Sequence, residues 1–276
     1  MKPYALDLIE KRLDSLLQIQ KCPQQELIEA ARYSTLGPGK RLRPLLLLAV
    51  LEGHKIPLEK GVDPACALEF IHTYSLIHDD LPCMDNDDMR RGRLTLHKEY
   101  SEGLAVLTGD FLFTYAMEVV TNAQDLSSLQ KLKIINTLSS RAGLQGMIGG
   151  QVIDIHAERL CKDVETLYLM HSYKTASLFI ASLEIGGIIA NISQKELEKL
   201  QSCGKALGIA FQMLNDLQDP HPTSPSSAVT ILGKDTTAEN SAMLLQEALH
   251  LAQALSIRCP LLERLIEEVL QIPTTV

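Results

Sequence analysis

Apolar residues recur at intervals of three and four along almost the whole chain. Near the start Leu6, Ile9, Leu13, Leu16 and Leu17 carry this period, and near the end Leu262, Leu265, Ile266, Val269 and Leu270 repeat it. Such spacing puts one stripe of side chains on one face of a helix. Alternation of the strand type is hard to find, and Leu, Ala, Glu, Gln and Lys, all good helix formers, fill the stretches between breaks. The pattern predicts an all-α fold of about ten helices. From roughly residue 64 to 213 the apolar positions spread round most of each helix, which predicts a buried centre.

The breaks are "STLGPGKRLRP", "LPCMDNDD" and "DPHPTSPSSAVTILGKDTT". The last covers residues 219–237 and is the one long run of Pro, Ser and Thr, which predicts a flexible loop over one end of the domain. No other boundary suggests a division, so residues 1–276 read as a single domain.

Composition narrows the function. Hydrophobic residues make up 46% of 276 positions, enough for one large core. A net charge of −8 leaves no basic footprint for nucleic acid, and the absence of Trp with only 4% aromatics leaves few rings for base stacking. Six scattered cysteines without a CxxC pair argue against a disulfide framework or a zinc site and fit a reducing cytoplasm. Asp7, Glu10, Lys11, Arg12 and Asp14 stand where a signal peptide needs an apolar core. The most apolar stretch, "SLFIASLEIGGIIANIS", is broken by Glu184 and two glycines and falls short of a membrane span. A soluble cytoplasmic protein is expected.

Charge is concentrated in "DDLPCMDNDDMRRGR". The preceding "ALEFIHTYSLIHDD" reads as a helix, and Pro82 disfavours helical geometry at Leu81. Asp79 and Asp80 therefore fall in a last turn, where helix carbonyls are already partly negative. An arginine or a hard divalent cation must compensate, and carboxylate oxygens suit the cation. The loop through Pro82 lets Asp85 turn back toward Asp79. A second acidic helix end, "GIAFQMLNDLQDP", puts Asp216 and Asp219 on one face with Gln212. Facing each other, the two acidic ends would hold Mg2+ bridging to a phosphorylated ligand. Lys40, Arg41 and Arg43 follow the glycines of "GPGK", Arg90 and Arg91 follow the first acids, and Lys174 and Lys234 lie further on. Acids for metal, dispersed cations and an apolar helical interior suggest a diphosphate carrying a hydrocarbon tail.

"GPGKRLRP", "IHTYSLIHDDLPCMDNDDMRRGR", "LTGD", "GGQVIDI", "YKTASL" and "GIAFQMLNDLQD" closely resemble, in order, the motifs of short-chain trans-isoprenyl diphosphate synthases, the farnesyl and geranylgeranyl diphosphate synthases of bacteria. The resemblance runs over nearly the whole chain. It implies a single-domain, all-α isoprenoid synthase-type bundle around a central cavity, acting as a Mg2+-dependent homodimer on isopentenyl diphosphate and an allylic diphosphate. By the same resemblance Asp79 and Asp85, supported by Asp80, ligate Mg2+, with Asp216 and Asp219 as the second set. Arg90, Lys174 and Lys234 hold the allylic diphosphate; Lys40, Arg43, His72 and Arg91 bind isopentenyl diphosphate. Thr175, Gln212, Gln151 and Asp154 line the reaction centre.

Asn215 departs from the resemblance, standing where the second motif usually opens with an aspartate. Tyr74 lies five residues before Asp79, roughly 7.5 Å along a helix, and in similar enzymes a ring near there forms a floor that stops the product at farnesyl. Ser75, four residues before Asp79, is small and leaves room. Geranylgeranyl diphosphate as product and a non-catalytic partner subunit are the alternatives. A terpene cyclase would have no use for "GPGKRLRP", and a di-iron bundle built on Glu69/His72 and Glu247/His250 would leave the aspartates and arginines unexplained.

Overall fold

Helices form over nearly every stretch where apolar residues repeat at three and four. A computed structural model of the chain describes residues 1–19, 21–219 and 224–271. Among these, ten helices run eleven residues or more, and the only sheet is a two-stranded hairpin. The chain divides into two compact units, Met1–Leu48 with Leu58–Ile135, and Ala49–Pro57 with Asn136–Val276.

In the first unit, α1 (Lys2–Leu16) buries Ala5, Ile9 and Leu13 completely. Helices α2 (Gln25–Thr35) and α3 (Leu42–Gly53) flank the "GPGK" loop, α3 running on into the second unit. Helix α4 (Glu59–Asp79) is buried on most sides, as its all-round apolar composition predicts. Arg12 of α1 donates to Asp63 of α4 at 2.7 Å. A hairpin follows, β1 (Met89–Arg90) antiparallel to β2 (Arg93–Leu94), with Arg91 and Gly92 at φ 52° and 77° in its two-residue turn. Positive φ at both turn positions matches the twist of paired strands. Helix α5 (Leu96–Glu99) leads to α6 (Glu102–Asn122), which Ser101 caps by accepting from Leu104 N–H. Gly109 of "LTGD" lets α6 close on α4: a Cβ there would lie 2.0 Å from His78 Nε2, which donates to Val106 O at 3.1 Å. His78 thus joins two helices. Helix α7 (Ser128–Ala142) begins in this unit and ends in the second.

The second unit contains α8 (Met147–Ile155), α9 (Ala157–Leu160) and α10 (Val164–His171), then a π-helical turn, Ser172–Ala176, that continues directly into α11 (Ser177–Ala190). Helix α12 (Gln194–Gln218) follows, with α13 (Ala228–Leu232), α14 (Lys234–Gln253) and α15 (Pro260–Leu270). Helix α12 packs on α11 and α14, with Phe179 and Phe211 5.3 Å apart at the first contact. Of the loop predicted at 219–237, residues 220–223 lie outside the described residues, and its second half forms α13 and the start of α14. His221, Thr223 and the final "IPTTV" also lie outside them.

One expectation is corrected. The apolar stretch around α11 does not fall short of a membrane span in length, because α10, the π turn and α11 form one helix, Val164–Ala190, of 27 residues. Glu184 and the glycines do not interrupt it. Together with Glu102–Asn122 it is long and apolar enough to cross a bilayer by length and composition. Its apolar window is 72% buried, and Glu184 accepts from Arg141 at 2.8 Å and Thr137 at 3.1 Å. That is the environment of a core helix.

Gly208 of α12 lies against the π turn, where an added Cβ would sit 2.4 Å from Ala176 Cα. Gly208→Ala is therefore expected to lower stability by about 1–3 kcal/mol through overpacking, measured as a lower urea midpoint at unchanged slope. An unshifted midpoint would mean that α12 and the turn have slack.

Candidate active site

Helix α4 ends at Asp79, and Asp80 caps it with its N–H on Leu76 O. The chain then turns back. Asp85 N–H donates to Asp79 O at 2.9 Å, and Asn86, at φ 55°, donates to Leu81 O at 3.1 Å. This is the return of Asp85 to Asp79 that Pro82 predicts. Asp85 is exposed and Asp79 partly so. Asp80 is buried, its two oxygens accepting from Arg90 Nε at 2.7 and 2.9 Å. Burial pushes the Asp80 carboxyl above its usual range, and Arg90 offsets part of that rise. The positive partner required at this helix end is thus Arg90, held by the buried Asp80, while Asp79 and Asp85 stand nearer solvent.

Cations gather on the same side of this unit. Arg43 Nη1 lies 3.2 Å from His72 Nε2. Burial, then the charges of Arg43 and Arg91, hold His72 well below its ordinary pKa, so the ring is neutral and Nε2 accepts from Arg43. Burial also lowers Arg43, to about 10. Arg91 donates to Pro38 O at 2.9 Å, and Lys40 is exposed. A cavity of ≈ 60 Å³ is lined in part by Thr73, Ile77, Asp80, Arg90 and Arg91. Tyr74 is 7% exposed, with Phe113 5.2 Å and His78 5.8 Å from its ring edge-on. Its buried hydroxyl has no hydrogen-bond partner among the described residues, and burial, with Asp79, pushes its pKa up to about 12. Ser75 Oγ donates to His72 O at 2.9 Å. Glu69 and His72 serve arginines, Arg41 and Arg43, and Glu247 and His250 are exposed, which disposes of a di-iron reading.

In the second unit the π turn presents Lys174 and Thr175. Widened turns of this kind recur at functional sites. Here two close approaches frame the turn: Gly208 on one side, and Gly150, whose Cβ would lie 2.1 Å from Lys174 N, on the other. Lys174 Nζ pairs with Asp154 of α8. Thr175 Oγ1 donates to Gln212 Oε1 at 2.8 Å, and Gln212 Nε2 donates to Asp216 Oδ1 at 2.8 Å. Asp216 Oδ2 accepts from Ala228 N–H at 2.8 Å, so this aspartate joins α12 to α13. Burial raises its pKa to about 6. Both amide atoms of Gln151 are buried without a hydrogen-bond partner among the described residues. Asn215 and Asp219 are exposed on α12 and at its cap, and exposed Lys234 opens α14 after Gly233 at φ 83°.

Sequence reasoning missed two groups. His171, 1% exposed and one turn before Lys174, lies 3.6 Å from Asp216 Oδ2, with burial lowering its pKa to about 4. The second is Glu10 and Glu69 on Arg41. A histidine one turn from a lysine was the only signal for the first, and nothing linked residues 10, 41 and 69.

Among the described residues no three His, Cys, Asp or Glu side chains converge as a metal cage. The donors at the end of α4 nevertheless suit Mg2+. Asp79 and Asp85 present hard carboxylate oxygens at a solvent edge, and Mg2+ takes one or two carboxylates and completes its shell with water and phosphate.

The polyprenyl synthetase profile matches residues 24–267. The chain is 42% identical over 211 residues to the farnesyl diphosphate synthase of Bacillus subtilis (strain 168), covering 76% of this chain and 71% of that one. Its fold superposes on an FPP/GFPP synthase from Zymomonas mobilis with a TM-score of 0.91 at 32% identity, covering 97% of this chain and 96% of that one. It also matches a Helicobacter pylori geranyltransferase complexed with magnesium and isoprenyl diphosphate, with a TM-score of 0.83 at 34% identity, covering 97% and 95%.

Removing Arg90 strands the Asp80 carboxylate. Since Arg90 itself is partly solvated, Arg90→Ala is expected to cost about 2 kcal/mol in urea unfolding, less than a fully buried pair. Adding Asp80→Asn should recover most of that loss. A wild-type midpoint for Arg90→Ala would show that the pair does not hold the hairpin.

Proposed function

This chain belongs to the polyprenyl synthetase family, and on that basis we propose that it joins isopentenyl diphosphate to dimethylallyl or geranyl diphosphate, with farnesyl diphosphate as main product. It is a trans-prenyltransferase. The observation that carries the reading is the end of α4, where Asp85 is bonded back to Asp79 while Asp80 fixes Arg90. The single family match across residues 24–267 supports treating both units as one functional domain.

Asp79 and Asp85 would hold Mg2+, which when bound withdraws charge from a departing diphosphate. Asp216 and Asp219 are the acidic donors of the second unit, Asp216 already engaged by Gln212 and Ala228. Arg90, Lys174 and Lys234 take the allylic diphosphate and stabilise the negative charge that grows on it as the allylic C–O bond breaks. Lys40, Arg43, His72 and Arg91 hold isopentenyl diphosphate, whose double bond attacks the allylic cation. The adduct then loses a proton to the released diphosphate and regains a double bond. Thr175, Gln212, Gln151 and Asp154 line the reacting groups, and the Thr175–Gln212–Asp216 bonds hold the amide still. No nucleophilic side chain takes part.

Tyr74, backed by Phe113, forms the floor under the growing chain. The enzyme works as a soluble cytoplasmic homodimer, a reading supported by six free cysteines and by the exposed apolar faces of α6 (Val106, Leu107) and α7 (Leu129, Leu132).

Purified protein supplied with Mg2+, isopentenyl diphosphate and an allylic diphosphate should turn over, and EDTA should abolish it. Asp79→Ala should lower kcat by at least about a hundredfold while circular dichroism remains helical. Full activity in that variant or in EDTA would sink the reading, and no turnover by the wild-type protein would favour a non-catalytic partner subunit.

Product chromatography tests the floor. Tyr74→Ala should shift the main product from farnesyl toward geranylgeranyl or longer. An unchanged spectrum from a folded, active variant would put the floor elsewhere, and geranylgeranyl as the wild-type product would overturn the assignment of chain length.

A further inference from the structure

Arg41 stands in sequence between Lys40, which is exposed, and Arg43, which bonds His72, and its own side chain is engaged by other groups. It is 2% exposed, and its guanidinium makes four hydrogen bonds. Nε donates to Glu10 of α1 at 2.7 Å and Nη1 to Glu69 of α4 at 2.9 Å. Nη2 donates to Thr35 O at 2.8 Å and Gly37 O at 3.0 Å, the two ends of the turn leaving α2. Burial works against the charge, but Glu69 and Glu10 more than offset it and raise the Arg41 pKa. Its backbone is left-handed, at φ 48°, a conformation that costs a non-glycine residue and persists only when the surroundings dictate it. Arg41 O accepts from Leu45 N–H at 3.0 Å and so opens α3, whose first turn carries Arg43.

A side chain at Gly39 would force one of two guanidinium tips to shift. A Cβ would lie 2.7 Å from Arg41 Nη1 and 2.9 Å from Arg91 Nη1. The loop is therefore pressed between two guanidinium groups, one beneath it on Glu10 and Glu69, the other on Pro38 O. A buried ion pair of this kind adds little net stability, but removing one partner leaves an uncompensated buried charge.

We propose that Arg41, held by Glu10 and Glu69, is a positioning residue that sets where Lys40 and Arg43 meet the diphosphate of isopentenyl diphosphate. Arg41 does not touch that substrate. It anchors the loop from within, so that α1, far away in sequence, governs affinity for one substrate of the two. The inference rests on the reading that Lys40, Arg43, His72 and Arg91 bind isopentenyl diphosphate.

Steady-state kinetics on the full-length enzyme test it, with both substrates varied and thermal unfolding recorded for every variant. Arg41→Lys keeps the charge but not the fork, and should raise KM for isopentenyl diphosphate about tenfold, with kcat and the allylic KM near wild type. Glu10→Ala, at a more exposed position, should move the same KM in the same direction by about threefold. Glu10→Gln keeps an acceptor for Arg41 and should restore it. Should Arg41→Lys fail to fold, the two Glu10 variants decide. Folded variants with an unchanged KM, or with both KM values or kcat alone altered, overturn the inference. Lys40→Ala separates the two levels. If it weakens isopentenyl diphosphate while the Arg41 and Glu10 variants are silent, only the positioning role falls. If it too is silent, the substrate assignment falls and the inference with it.

Discussion

Carboxylates at the carboxyl end of α4 are the constraint from which the first unit follows. The last carbonyls of a helix are partly negative, and acids placed there raise the local negative potential further. Positive charge must be brought in without filling the edge where Asp79 and Asp85 stand. Asp80 achieves this by turning inward and binding Arg90, which fixes the start of the hairpin. The hairpin turn in turn brings Arg91 onto Pro38 O, and the "GPGK" loop is held between Arg91 and Arg41. A chain of arginines thus runs from one acidic helix end to the loop that carries Lys40.

The second unit solves a related problem with close packing. Lys174 and Thr175 lie on a widened turn within a continuous 27-residue helix, and glycines at 150 and 208 allow neighbouring helices to approach its backbone. Hydrogen bonds then run from Thr175 through Gln212 and Asp216 to the start of α13. Each polar group in this series is satisfied by the next, which keeps a buried amide and carboxylate in single orientations. His171 lies beside Asp216 as a neutral ring, because burial outweighs the Ser226 backbone hydrogen bond and the charge of Asp154.

The helical class, the two acidic helix ends and the return of Asp85 toward Asp79 were determined by the sequence alone. Each rests on local physics: apolar spacing, the restriction that Pro82 imposes on Leu81, and the chain length between the aspartates. The same local reasoning failed on the apolar stretch around α11. Glu184 looks like an interruption until Arg141 and Thr137 are seen to satisfy it. Only the tertiary structure decided the rest. That Asp80 belongs to Arg90, that Arg41 is buried while Lys40 beside it is exposed, and that Glu10 and Glu69 meet one guanidinium are facts about tertiary packing. So are the needs of Gly150 and Gly208, which depend on the backbone that presses against them. A periodic pattern says which face of a helix is buried; which partner waits there is settled by packing, and packing is not local.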